Sequence, residues 1–544
     1  MFSHHMWAKN LLLLSITLSV AEGKIDRKSI VQQYNLKLNQ SHPYSPVQVG
    51  NGNFAFGVDV TGLQTFLPYN TLSSWGWHNS SLPTTPGQTQ PSDYTGVDWW
   101  THGRLVNYAQ PNPEEKEISQ WMIANPHRIN LGRVGLWFGG IAGGNVTEEL
   151  LSDKEQTLEL WEGIISSSFS LNGSEVHVMT VASPETDTVA IEITSTLVRT
   201  AGLGVFFDFP YATGKNKFDA PFVGLSNATS NHTTSDQYRH QGATITHTLD
   251  NTTYVADIAW EGYARLSRLH QDEHKYILCG SQNSETLSFT VTYAPHAPNT
   301  TGTTQAIKQQ SLTWWEDYWT TGAFVSLPTA SNASAHELQR RTILSQYLLA
   351  VNGAGKDPAQ ESGLVNNGWY GKFHLEMVFW HLSHWQFWGK WDLYNRSIGV
   401  YSRFLPSSYA RAAAQGYSGA RLGKMSDPSG RSAPGEINSL LIWQQPHPMY
   451  FAEMEYRSFP SVATLAKWDE VIVGVADFMA SYAFWNESTR VFDLGPPLYP
   501  VSENTMPNTT LNPTFELAYW RFGLHVAAQW QARQNKPVPE AWHT

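Results

Sequence analysis

The sequence predicts an α+β protein of more than one domain, an N-terminal antiparallel β-sandwich followed by a helical barrel. Three observations predict it. Over the first half apolar residues alternate with polar ones, the period of strands. From about residue 335 they recur at helical spacing. Between the two lies a stretch rich in Thr, Asn and Ser, residues 299–332. At 544 residues the chain exceeds one ordinary core, so two or three domains are expected.

Residues 1–23 read as a secretory signal. Lys9 supplies a positive charge, Leu11–Val20 is apolar, and Ala21-Glu22-Gly23 offers small residues for cleavage. An apolar run of about ten residues falls short of the ~20 a membrane span requires. Residues 24–300 read as the β-sandwich. Val189, Ile191 and Ile193 alternate with polar neighbours, as do Leu287, Phe289, Val291 and Tyr293. Phe169 and Leu171 run into Asn172-Gly173, with Val176 and Val178 beyond, a hairpin signal.

Residues 301–334 read as a linker with one short helix around SLTWWEDYW. Residues 335–544 read as the helical part. Ser334 and Glu337 suit a capping box ahead of Leu344, Tyr347, Leu348 and Val351, and Asn352-Gly353 suits a stop. Further helices are expected over Phe373–Trp388, Trp391–Ser407, Met449–Tyr456, Thr464–Trp485 and Thr514–Arg533. Long Gly/Pro/Ser-rich loops separate them, which suits a barrel with its site at the loop end.

Charged residues make up only 15% and the net charge is −11, which disfavours nucleic acid and anionic membrane as partners. Twelve Asn-x-Ser/Thr sequons accompany the signal and point to a secreted glycoprotein. Cys279 is the only cysteine, which excludes an intrachain disulfide and cysteine-ligated zinc. No cofactor motif is found: the chain has no Gly-rich phosphate loop, no HExxH and no GxSxG.

Four segments carry candidate chemistry. Gly363–Trp391 packs Trp369, Trp380, Trp385, Trp388 and Trp391 around Glu376, with His374, His381 and His384 nearby. Indoles stack on sugar rings and glycosidic chemistry uses carboxylates. The same residues also suit a helix buried through its aromatic face, with Glu376 solvated. Gly416–Arg431 carries Arg421, Lys424, Asp427 and Arg431 in a Gly/Ser-rich loop, either donors for sugar hydroxyls or an ordinary exposed loop. In Leu441–Tyr450, two prolines stiffen a segment bearing Trp443, Gln444, Gln445 and His447, which favours preorganised hydrogen bonding over a merely structural histidine. Leu494–Asn512 places Glu503 in a Pro-rich loop. Partial desolvation there would suit a general acid, and a surface glutamate is the plain alternative.

These segments, taken in order, form a recognisable set. VGNGNFAFGVDVTGLQTF at Val49–Phe66 resembles the opening of the β-sandwich domain in glycoside hydrolase family 65. GWYGKFHLEM resembles the segment around that family's Phe-Trp-Asp-x-Glu motif, WQQPH its Glu-Gln-His segment, and PVSENT with NPTFELAYWRFGL the segment of its general acid. The likeness is stronger still to secreted six-hairpin glycosidase-like proteins. It implies a β-sandwich, a helical linker and an (α/α)6 barrel, and cleavage of α-glucosidic linkages with inversion, by water or by phosphate.

Residue by residue, the resemblance makes Glu503 the general acid and sets Glu376, Gln445 and His447 along the sugar subsite. His374 stands where the family has aspartate. No counterpart of the phosphorylases' phosphate segment is found. The residues after Ala335 suffice for about half of a twelve-helix barrel, so the barrel reads as incomplete and the family's base as missing. Glu376 and Asp427 are then the candidate bases. The expected partner is an oligosaccharide. A non-catalytic sugar-binding protein is the second expectation, and a polysaccharide lyase the third.

Overall fold

The computed structural model describes residues 25–139, 141, 145–214, 223–271, 273–298, 302–327, 332–365 and 368–543. The expected signal peptide lies outside the described residues. The architecture is α+β, with a β-sheet half followed by a helical half.

Among the described residues the strands of the first half form two principal antiparallel sheets. The larger has nine strands and runs, in spatial order, from Leu36–Leu38 through Ser152–Glu159, Ile164–Leu171, Ser174–Ala182, Thr188–Thr194, Thr286–Ala294, Thr252–Trp260 and Gly242–Leu249 to His232–Arg239. The smaller has four, Ala264–Arg268, Lys275–Gly280, Gly204–Asp208 and Arg133–Trp137. The alternating positions Val189, Ile191, Ile193, Leu287, Phe289, Val291 and Tyr293 are all buried. Phe207 of the smaller sheet meets Phe289 of the larger edge-on at 5.8 Å, so the two inner faces share one core. The Asn172-Gly173 turn has φ of +51° and +78°, the left-handed pair that a two-residue hairpin needs.

The joining segment is more helical than the sequence suggested. A 17-residue helix, Thr304–Thr320, starts at a Thr303 cap, and its buried Trp319 donates to the Leu160 carbonyl at 2.8 Å. The next helix, Ala333–Gly353, is capped by Asn332, whose side chain accepts from Ser334 N. The expected Ser334–Glu337 box therefore does not form. Glu337 instead pairs with Arg340 and Arg341.

The helical half follows the expected segments with two departures. Helices occupy His447–Ser458, Val462–Tyr482 and Thr514–Arg533. The run expected over Trp391–Ser407 is broken into Trp391–Ser397, Val400–Arg403 and Leu405–Ala414, with Pro406 at the start of the last, where its missing N–H costs nothing. The larger departure is Phe373–Trp388. Its helix begins only at Val378, because Phe373 and His374 pair as a strand with Met425 and Ser426. That pairing places Glu376 in a turn rather than on a helix face.

One apolar cluster runs through both halves, from Val31 to Trp542. Polar contacts cross the same boundary: Arg128 Nε donates to Gly371 O at 3.0 Å, and buried Lys372 donates to Asn125 O and Pro126 O at 2.9 Å each. The two halves therefore position each other. Among the described residues no helix is long and apolar enough to cross a membrane, and no group of His, Cys, Asp and Glu is arranged to hold a metal ion.

Candidate functional site

The short strand pair Phe373–His374 and Met425–Ser426 builds the site's floor. Leu375 N donates to Lys424 O at 2.7 Å, so the backbone fixes Glu376 beside Lys424. Lys424 Nζ lies 3.0 Å from Glu376 Oε1 and 2.9 Å from Glu503 Oε1. One ammonium thus joins two carboxylates. Lys424 also sits 5.7 Å from the centre of the Trp369 ring.

Glu376 is enclosed. His374 Nε2 donates to its Oε1 at 2.8 Å and Trp443 Nε1 donates to its Oε2 at 3.0 Å. Burial opposes its charge, but the His374 contact and the Lys424 ammonium outweigh burial and hold the carboxyl down to about 2. Behind it, His447 Nε2 donates to the Glu376 carbonyl at 3.0 Å, and the Tyr519 hydroxyl bonds His447 Nδ1 at 2.8 Å. Burial keeps His447 neutral by lowering its pKa to about 4.

Glu503 is the member of this chain of contacts that faces open space. Its side chain is 35% exposed, against 10% for Glu376 and 3% for Lys424. It lines a cleft of about 460 Å³ together with Trp369, Tyr370 and Lys424. Trp369, Tyr370 and Glu503 all have left-handed backbones, with φ of +50°, +59° and +56°. Such conformations are costly for residues with side chains and concentrate at functional sites. The loop before Glu503 is held by buried Glu516, whose Oε1 accepts from Val501 N at 2.6 Å; burial raises the Glu516 carboxyl above its ordinary range.

The opposite wall comes from the β half. Asn112, Lys116, Ser119 and Gln120 line the same cleft, and Gln120 reaches Tyr370 OH at 3.3 Å. Gln110 of the same segment donates to the Glu436 carbonyl. The sequence reading missed this wall, because a Pro-Asn-Pro-Glu-Glu-Lys stretch looks like any exposed loop. It also missed Tyr519, which occupies a helix position with no local signal, whereas Glu516 was read as a charge suited to its helix's N-terminus and instead anchors the loop before Glu503.

Of the residues singled out from sequence, Glu503, Trp369 and Lys424 line the cleft. His374, Glu376, Trp443 and His447 are gathered behind them as a buried support. Gln445 was expected along the sugar subsite, but it is fully buried and clamps the Leu422 backbone, donating to O and accepting from N at 2.9 Å each. That clamp lies two residues before Lys424 and fixes its loop. Gln444 is likewise buried, donating to Leu441 O at 3.4 Å. Asp427 does not reach the cleft: it accepts from Ser429 and pairs with Arg431 at 3.1 Å.

Nor does Glu376 suit the role of base opposite Glu503. It is buried, does not line the cleft, and has its two oxygens taken by His374, Lys424 and Trp443.

No known protein family matches the sequence as a profile, and no curated protein matches it. Solved structures do resemble the fold. A putative kojibiose phosphorylase from human microbiome matches with a TM-score of 0.59 at 10% identity, over 94% of this chain and 67% of that one. A bacterial glucoamylase complexed with acarbose gives a TM-score of 0.47 at 10% identity, over 77% and 60% of the two chains. A family GH92 alpha-mannosidase from Bacteroides thetaiotaomicron gives 0.38 at 9% identity, over 94% and 64%. The chain shares its fold with the first of these. It spans about two thirds or less of each protein's length.

Proposed function

We propose that this protein is a secreted, inverting glycoside hydrolase acting on α-linked glucosides or related oligosaccharides. The observation that carries this reading is Glu503, a carboxyl exposed to a cleft, tethered by Lys424 and bordered by Trp369. Glu503 serves as general acid and protonates the leaving glycosidic oxygen. Trp369 offers an edge or face to the sugar ring, and Lys424 donates to its hydroxyls. Glu376, His374, Trp443 and His447 hold Lys424 and Trp369 in place. Glu376 is held ionised, which leaves the acid's role to the carboxyl that faces the cleft. Glu436 also lines the cleft and is the carboxylate left to activate water. The fold shared with the putative kojibiose phosphorylase supports this choice of substrate class and keeps phosphate in view as an alternative acceptor.

The test is incubation with a panel of α-linked disaccharides, with and without phosphate, reading the anomer of the product and any sugar phosphate. Glu503→Gln should lower hydrolysis by about 10²-fold or more while sugar binding survives. Full activity in that variant would exclude the assignment. Glu436→Gln should lower turnover to a similar degree, and an unchanged rate would remove Glu436 as base.

A second reading, sugar binding without turnover, is favoured by the closeness of Glu503 and Glu376 on one ammonium. It expects saturable binding and no product in the same panel.

A further inference from the structure

Pro434 and Asn438 border the cleft on one side and a second cavity, of about 410 Å³, on the other. Arg411, Arg421 and Arg431 all line this second cavity. The chain carries 35 Lys and Arg against 46 Asp and Glu, so three guanidiniums around one space run against the balance of the whole. Asp427 neutralises Arg431 at 3.1 Å. Among the described residues, Arg411 and Arg421 form no ion pair.

Their contacts are neutral ones. Arg411 donates to the carbonyls of Arg421 at 2.6 Å and Gly430 at 3.0 Å. Arg421 donates to Gln415 Oε1 and to Ser439 O, each at 2.6 Å, and lies over Tyr108 and Phe478 at 5.3 and 5.5 Å. These bonds orient the two guanidinium forks without cancelling their charge. Burial, and then the like charge of Arg421, lower the Arg411 pKa to about 10. Ser439 Oγ is buried at the same cavity with no partner. Buried charges are ordinarily paired, because removing them from water unpaired is costly.

We infer that this cavity binds a small oxyanion of the phosphate or sulfate class, with Arg411 and Arg421 supplying charge and Ser439 a hydroxyl. Tetrahedral oxyanions match guanidinium forks in both charge and geometry. The anion arrives either free or as the substituent of a sugar lying in the adjoining cleft. This inference stands apart from the hydrolytic reading, since it is tested by binding alone.

The experiment is titration of the full chain at constant ionic strength with inorganic phosphate, sulfate, glucose and glucose 6-phosphate, followed by calorimetry and by 31P NMR line width. Saturable phosphate binding with sulfate competition is expected, weakened about tenfold or more by Arg411→Gln and less by Arg411→Lys. Glucose 6-phosphate binding about tenfold tighter than phosphate would assign the site to a sugar substituent, and equal or weaker binding to the free anion. Because Arg411 also anchors backbone, Ser439→Ala provides a second variant that removes only a hydroxyl, and about a threefold loss is expected. Absence of saturable binding by the unaltered chain up to about 10 mM would overturn the proposal. So would affinities unchanged in Ser439→Ala and in a folded Arg411→Gln.

Discussion

Glu376 illustrates how much of this site rests on charge held out of water. Its carboxyl is depressed to about 2 by His374 and Lys424 against the pull of burial. A carboxylate with a lowered native pKa adds stability that is fully present above the unfolded value, near 4.3, and is lost as pH falls through the native one. Glu376→Gln should therefore cost on the order of 3 kcal/mol at pH 7, with the deficit constant down to about pH 5 and shrinking below about pH 4. Urea midpoints of both proteins across that range check this. A deficit undiminished at pH 3 would mean that Glu376 is not the anion of the cluster. Glu376, Lys424 and Glu503 were each legible in the sequence as residues of interest. Their sharing of one ammonium was not, because it depends on a two-residue strand pairing between distant segments.

At the scale of elements, the loop carrying Lys424 is fixed at two points just ahead of that residue. Gln445 clamps Leu422, and Gly419 presses against the helix Val462–Tyr482. Gly419 has φ of +73°, and a Cβ there would stand 2.2 Å from Phe478 N and 2.4 Å from Gly474 O. Gly419→Ala should therefore cost about 2–4 kcal/mol and weaken sugar binding, since the loop must lift from the helix. Gly87 provides the control. It has a similar φ of +78° with open space around it, so Gly87→Ala should cost only about 1 kcal/mol, with binding intact. Thermal melts and a sugar titration separate the two. Equal losses in both variants would show that the backbone conformation alone matters. The helix Thr514–Arg533 was read from its periodicity with its observed bounds, whereas Phe373–Trp388 was overextended. Aromatic spacing suits a helix, but pairing with the distant segment Met425–Ser426 took its first residues.

For the whole molecule, the notable population is buried histidine. Burial is the leading cause that lowers the pKa of His127 to about 3 and of His232, His381, His384 and His447 to about 4. A neutral buried histidine binds its proton only after unfolding, so stability is full above about pH 6.5 and falls as pH drops toward 4, by up to about 1.4 kcal/mol per pH unit for each residue. Asp59, Asp187 and Asp208, whose carboxyls burial raises, act in the opposite sense at lower pH. The urea midpoint is expected to fall steeply below about pH 6, with proton uptake on unfolding. A flat midpoint between pH 7 and 5 would contradict this burial. The sheet-then-helix order was legible from the change of period alone. The cleft was legible only in part, because one bank belongs to residues 111–123 of the β half and the other to the helical half. That division has a practical consequence. Point substitutions on the first bank are expected to reshape what the cleft admits while leaving the Glu376–Lys424–Glu503 ion pairs of the floor in place, so fit and charge can be varied separately.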